Sequence, residues 1–336
     1  MTYNHSSYIK DTMDGFCMQQ TDFPFICTIF DDNSTDGEQD VIRKYLDNNF
    51  IKNDETIKMT KETDDYTLIY TRHKTNANCF FAVYFLKYNH YQLKKSRDPY
   101  LLQEWKDTKY IALCEGDDYW TDPLKLQKQV DILEREPNVS MVYTAFINVD
   151  QDSNIISRDV YEQFMKESRS GNNLKRIFEG NYILTLTICF RKSVYESDLF
   201  SNSPSKIDYS IFMTASFLGD VVYIPDKTSC YRYNPNSMIS TKPKVIYDAV
   251  ELSKKYYIKK FYQGLCKKNM TIRETKEIKE TIFFQRMYKK DIKTILYIVC
   301  SDFYTFKLLF IYIFNQIKSI AKHILTIPWK ESCKND

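Results

Sequence analysis

The segment 110–133, YIALCEGDDYWTDPLKLQKQVDIL, constrains this chain more than any other stretch. An apolar run ends in Gly116-Asp117-Asp118, and after Asp122-Pro123 the residues Leu126, Val130 and Leu133 recur at i, i+4 and i+7. The first part predicts a buried strand over 110–114. The second predicts a helix over 124–135, with Asp122 as its cap and Pro123 where a missing amide is tolerated. Neighbouring strand residues face opposite ways, so Asp117 and Asp118 serve one ligand only where the chain turns, and Gly116 permits a turn. Paired carboxylates there are poor core. A solvated loop is the plain alternative. The functional one is a divalent cation, because Mg²⁺ and Mn²⁺ often take one or two protein carboxylates and complete their shell with substrate phosphates.

Around this segment the pattern alternates. Residues 6–20 predict a helix capped by Ser6 or Ser7, 25–30 a buried strand after Pro24, 38–46 a helix, 67–70 a weaker strand and 139–146 another strand. The alternation indicates an α/β sheet with parallel strands. Residues 181–191 are rich in β-formers, 209–218 read as a helix and 221–223 as a short strand. Beyond Ser240 the chain reads as helical and basic. Pro235, Ser237, Ser240 and Pro243 mark a soft boundary that separates a domain over 1–240 from a C-terminal region over 241–336.

The formal charge of +3 hides a split. Residues 251–336 hold 18 Lys and Arg against 8 Asp and Glu, which leaves 29 against 36 for residues 1–250. An acidic body repels phosphates unless a cation intervenes, which argues against nucleic acid as the main ligand. With 43% hydrophobic residues in 336 a sizeable core is available. The 27 Tyr and 22 Phe against 7 Gly suit a wet cleft and suit a biased coding composition equally well. The nine Cys (17, 27, 79, 114, 189, 230, 266, 300 and 333) form no C-x-x-C pair. Cys27, Cys114 and Cys189 lie in apolar runs, and the odd, scattered set points to a reducing cytoplasm. Residues 294–317 are strongly apolar, but Asp302 and Lys307 cut the uncharged stretch to 308–317, short of the ~20 residues a spanning helix needs. Lys289, Lys290, Lys293, Lys318 and Lys322 flank it. An interfacial helix on the anionic inner membrane face is the preferred expectation, and an amphipathic helix docked on the domain is the alternative.

Three further places carry polar groups. Residues 31–37, DDNSTDG, follow a strand. They read as a polar turn, or as ligand recognition at the carboxyl edge of a parallel sheet. A calcium loop fails, because Arg43 falls where a bidentate Glu is required. Asp208 precedes a helix and by pattern is an ordinary cap. The opening residues, Met1 to His5, look like a strand end with polar and aromatic groups.

Together these segments resemble family 2 glycosyltransferases of the GT-A fold. The matching pieces are TYNHSSYI at 2–9, DDNSTDG at 31–37, CEGDDYWTDPLKLQKQVD at 114–131, GNYILTLTICFRKS at 180–193, DYSIF at 208–212 and YRYNPNSMIS at 231–240. They occur in the family's order over about the first 240 residues. The resemblance implies an α/β GT-A fold, a Rossmann-like mixed sheet, with a C-terminal helical extension. It implies Asp32 on the nucleotide base (usually uracil) with Asp31 beside it, Thr2 and Tyr3 holding the base, and Asp117 on ribose or sugar. Asp118 would bind Mn²⁺ or Mg²⁺, and Asp208 would be the acceptor base. The donor would be a nucleotide-diphospho-sugar, the acceptor a glycan or lipid-linked glycan, the setting polysaccharide biosynthesis in the cytoplasm or at the membrane's inner face.

The residue types suit that chemistry. A cation stabilises charge on a leaving diphosphate, and a positioned carboxylate takes the acceptor's proton. A single displacement inverts the anomeric carbon and needs no Ser or Cys nucleophile. Three departures stand out. The family has a full strand before T-Y-N, whereas here Met1-Thr2 comes first, so either the start lies upstream or the nucleotide pocket is cut at that edge. Asn234 stands where relatives carry a His. The span 76–109 is long, and reads as a Tyr/Lys-rich insert. The alternatives are a catalytically weak or inactive relative that binds sugars or partners, and an Asp-metal nuclease or nucleotidyltransferase, which the acidic body disfavours.

Overall fold

A computed structural model describes residues 1–51, 59–101, 103–266 and 270–325. Helix α1 (Ile9–Cys17) turns Ile9 and Met13 inward, and Tyr8 rather than a serine stands at its N-cap. The Ser6 amide instead donates to Asp36, so the expected serine cap is absent. Strand β1 (Phe25–Asp31) runs through the Asp/Ser turn into α2 (Glu38–Asn49). Both helices cover one face of a four-stranded sheet, where Ile9, Met13, Ile42 and Leu46 meet Cys27, Ile29, Phe81 and Val83. That sheet adds β2 (Met59–Glu62), β3 (Tyr66–Arg72) and β4 (Cys79–Leu86) in the order β1-β4-β3-β2. β1 and β4 are parallel; the other pairs are antiparallel. The opening third of the span 76–109 is therefore no insert. Its run CFFAVYFL is almost wholly buried, as a continuous apolar run of that length should be in an inner strand.

The second sheet holds the 110–133 segment. Its elements are β5 (Tyr110–Ala112), β6 (Tyr119–Trp120), α3 (Lys125–Arg135), β7 (Val139–Val149), α4 (Asp159–Glu167), α5 (Leu174–Glu179), β8 (Ile188–Arg191), α6 (Asp208–Leu218) and β9 (Asp220–Arg232). The strand order is β5-β8-β7-β9-β6, and only β7 with β9 is parallel. The chain is thus a mixed α/β protein rather than one with an all-parallel sheet. The strand expected at 221–223 is the head of a thirteen-residue strand whose register against β7 slips where Pro225 withholds an amide. The β-rich stretch 181–191 yields a strand only from Ile188, after a 3₁₀ turn over Thr185–Thr187. Helix α3 starts at Lys125, and Asp122 accepts the Leu124 amide at 2.9 Å just ahead of it. Helix α6 is buried on every side from Tyr209 to Phe217, so its first residue, Asp208, is delivered from a fixed support.

Beyond the soft boundary near 240 come α7 (Pro243–Tyr262), α8 (Ile272–Tyr288), α9 (Ile292–Ser301) and α10 (Phe303–Leu325). Tyr257, Ile258, Phe261, Ile282, Ile298 and neighbours join the same core as β7, β8, α5 and α6. Thr271 and Glu274 form a reciprocal capping box at the head of α8. The apolar stretch 294–317 is two helices broken at Asp302, whose carboxylate accepts the Thr305 amide at 2.8 Å. Inward residues of α9 and α10 dock on the body, and outward ones stay exposed. No helix of the described residues is long and apolar enough to cross a membrane.

Candidate active site

The chain reverses over residues 115–118, between β5 and β6, with the Asp118 amide on the Glu115 carbonyl at 3.3 Å. Glycine is required at 116. A Cβ there would lie 2.8 Å from the Nδ1 of His5 and collide with the Thr2 side chain. Thr12 of α1 pins the turn from behind, its hydroxyl donating to the carbonyls of Gly116 (3.1 Å) and Asp118 (2.6 Å). From β9, the Arg232 amide donates to Oδ1 of Asp118 at 2.8 Å. Asn234 donates through Nδ2 to Oδ2 of Asp117 at 3.0 Å, and the His5 Nε2 lies 3.7 Å from the same oxygen. Asn234 is thus spent on orienting Asp117. The Arg232 guanidinium, itself buried, reaches the Asp117 carbonyl, the Gln151 carbonyl, the Ser153 hydroxyl and the Asp11 carboxylate, and lies over the rings of Tyr8 and Tyr119.

Asp208 joins this turn through Glu115. The Thr185 hydroxyl stands beside both acids, 3.4 Å from Oδ2 of Asp208, while Oδ1 of Asp208 accepts the Tyr209 amide at 2.7 Å. Asp208 is the first residue of α6 and does not act as its N-cap, a position held by Ile207. Burial, and then the charges of Asp208 and Asp117, push the Glu115 carboxyl up to about 7. Asp118 is raised well above the usual carboxylate range by burial and by Glu115 and Asp117, with Arg232 opposing. Burial also raises Asp208. One oxygen of Glu115, Oε2, is buried with no hydrogen-bond partner. Three of the acids singled out from sequence (Asp117, Asp118 and Asp208) therefore share an electrostatic neighbourhood whose centre is a fourth acid, Glu115.

The first acidic motif is placed differently. Asp32 is buried, and its two oxygens accept the amides of His90 (2.7 Å) and Tyr91 (3.0 Å) at the head of a short helix, His90–Leu93. A base N–H would be a further partner for a carboxylate already holding that helix. Asp31 is buried as well. Its Oδ1 accepts the Ser34 amide (3.2 Å) and the Gln39 amide group (2.6 Å), its Oδ2 has no partner, and burial raises its pKa. The 31–37 stretch is a polar turn, with Asn33 and Gly37 at positive φ and the Glu38 amide on Asp36 at 3.1 Å. Thr2 lies alongside β1, its amide on the Phe30 carbonyl (2.9 Å) and its carbonyl accepting from Asp32 (3.0 Å). The Thr2 side chain meets the buried Glu38, which also accepts the His5 amide. Thr2 and His5 thus connect the first motif to Gly116. Tyr3 is 39% exposed.

Glu115, Arg232 and Glu38 escaped the sequence reading. Glu115 lies inside the most informative motif and stood out only as its neighbour; Arg232 and Glu38 carry no local signal of their contacts. Among the described residues no group of three or more His, Cys, Asp or Glu side chains is arranged to hold a metal ion. Asp118, with Asp117 or Glu115, can offer at most an incomplete shell to a divalent cation, of the kind that substrate phosphates complete.

No family model matches the chain. It is 27% identical over 239 residues to uncharacterized proteins of Mycobacterium bovis and Mycobacterium tuberculosis, a match that takes in 69% of this chain and 57% of theirs. The chain spans a little over half the length of the curated relatives it matches.

Proposed function

We propose that this chain is an inverting glycosyltransferase with a GT-A fold, of the family 2 type, that moves a sugar from a nucleotide-diphospho-sugar to a glycan or lipid-linked acceptor. The observation that carries the reading is the convergence of Asp117, Asp118 and Asp208 on Glu115, from a strand turn and a helix start at least 90 residues apart. A cluster of carboxyls raised by burial and by one another's charge is what a site built to receive positive charge looks like. A bound Mn²⁺ or Mg²⁺ would supply Lewis-acid stabilisation to a leaving diphosphate. Asp118 would hold it, and Asp117, braced by Asn234, would orient the ribose or sugar. Asp208, raised by burial, is the stronger proton acceptor for an attacking hydroxyl. Thr2, Tyr3, Asp31 and Asp32 would border the nucleotide, the Tyr3 ring offering an exposed face to a base.

A second reading, a catalytically weak or inactive sugar- or partner-binding relative, draws on one observation. Asp32 and Asp117 already have protein partners. Calorimetry with UDP and Mn²⁺, followed by a screen of nucleotide-sugars for transfer or hydrolysis, separates the two. Metal-dependent UDP binding with turnover is expected, and Asp118→Ala should abolish turnover while the protein stays folded. Full turnover in that variant would exclude the first reading; metal-independent sugar or partner binding without turnover would favour the second.

A further inference from the structure

Helix α10 leaves a row of large apolar side chains without cover. Phe303, Phe306, Phe310, Ile313, Phe314 and Ile317 are all exposed, Phe310 to 69%. Their spacings of three and four residues place them on one side of the helix, in an arc of roughly 100°. The opposite side is engaged: Thr305 is buried, and Leu308, Leu309 and Tyr312 pack against the core. From Ile313 to Ser319 every residue is exposed, so the helix runs out past the body. Over Phe303–Leu325 the sequence has Lys307, Lys318 and Lys322 and not one Asp or Glu. Helical geometry puts Lys307 and Lys318 at one border of the apolar arc, and the Lys318 Nζ stands 4.5 Å over the Phe314 ring.

We propose that α10 seats the protein on an anionic lipid surface, with the phenylalanine and isoleucine row in the acyl boundary and the lysines reaching back to the headgroups. An apolar row of this width exposed to water is unfavourable. A helix with an apolar face and border lysines suits an interface, because the stems lie along the apolar layer while the ammonium groups meet anionic headgroups. The lysines also select the occupant. A second copy on the same face would bring like charges together across a two-fold contact. The chain's own residues 326–336, TIPWKESCKND, contain only Ile327 and Trp329 as large apolar side chains, too few to cover six. This inference goes beyond sugar transfer and does not depend on it.

The test is flotation of the full chain with phosphatidylcholine vesicles, with and without phosphatidylglycerol. The wild type should rise with the anionic vesicles at low salt and less so at high salt. Phe310→Ser combined with Phe314→Ser should lower the floated fraction about tenfold or more while the thermal melt stays unchanged, because both rings are exposed. Lys307→Glu with Lys318→Glu should lose the preference for phosphatidylglycerol. Failure of the wild type to float, equal flotation on both vesicle types, or undiminished flotation of the Phe double variant overturns the proposal. It is likewise overturned if light scattering shows a dimer that the Phe substitutions dissociate, without flotation. Flotation that appears only after deletion of 326–336 would assign the face to that segment instead.

Discussion

At the scale of single residues, the site is defined by a side chain that the sequence made visible without marking it. In CEGDDYW the paired aspartates stand out, yet Glu115 is the group on which Asp117 and Asp208 act and which in turn acts on Asp118. Its pKa moves from an ordinary 4.5 to about 7 on folding. Between those values the unfolded chain releases a proton that the folded chain keeps, so stability falls as pH rises through the window, by about 3 kcal/mol. Glu115→Gln should flatten this slope, leaving the part due to Asp118 and Asp208, and make the protein more stable above pH 7. Urea unfolding on both sides of the window, without divalent cations, reads the difference, and an unaltered slope in the variant would contradict the placement of Glu115. Asp32 makes the opposite case. Its motif is legible, but the sequence gives no sign that its oxygens hold the amides of His90 and Tyr91, because that contact joins residues almost sixty positions apart. Asp32→Ala removes the side chain that stands over the head of the 90–93 helix, at a cost of ~1–2 kcal/mol. Hydrogen exchange at those two amides should accelerate about tenfold or more, whether or not a nucleotide binds.

At the scale of elements, α1 does more than cover a sheet. Thr12 holds the 115–118 turn, Asp11 takes Arg232, and Gly15 lets the helix touch β6. A Cβ at Gly15 would lie 2.7 Å from the carbonyl oxygen and 2.8 Å from the amide nitrogen of Trp120, both backbone atoms that cannot rotate away. Gly15→Ala should therefore destabilise the protein by ~1–3 kcal/mol, the range for overpacking, in a denaturant titration. The helices expected at 38–46, 124–135 and 209–218 exist because apolar periodicity is local information. Strand directions were not legible. The pairing of β8 against β7 and β5 comes from long-range burial, and alternation alone suggested parallel neighbours. The apolar run CFFAVYFL forms β4 at the head of a span whose Tyr- and Lys-rich remainder masks its strand pattern.

At the scale of the whole molecule, the C-terminal helices divide between core and surface. Ile295, Ile298 and Val299 of α9 are buried in the shared core, whereas α10 is exposed from Ile313 to Ser319. Truncation after Tyr312 should leave the melting temperature within a few degrees of wild type. Truncation after Lys293 strips three buried side chains from the core and should cost several kcal/mol, enough to lower it by well over five degrees. Calorimetric melts of the two truncated proteins test this partition, and equal losses would refute it. The sequence showed the apolar band and its lysines, but burial of one face and exposure of the other depends on what α8 and α7 present to it. One fastening crosses the whole site. Arg232 grips the aspartate turn, Asp11 on α1 and the 151–153 loop with a single guanidinium. Anything that tugs on the turn tugs on that outer loop as well, so if the proposed donor and cation settle on the turn, a dye attached at the exposed Asp152 should brighten or dim, an optical gauge of occupancy.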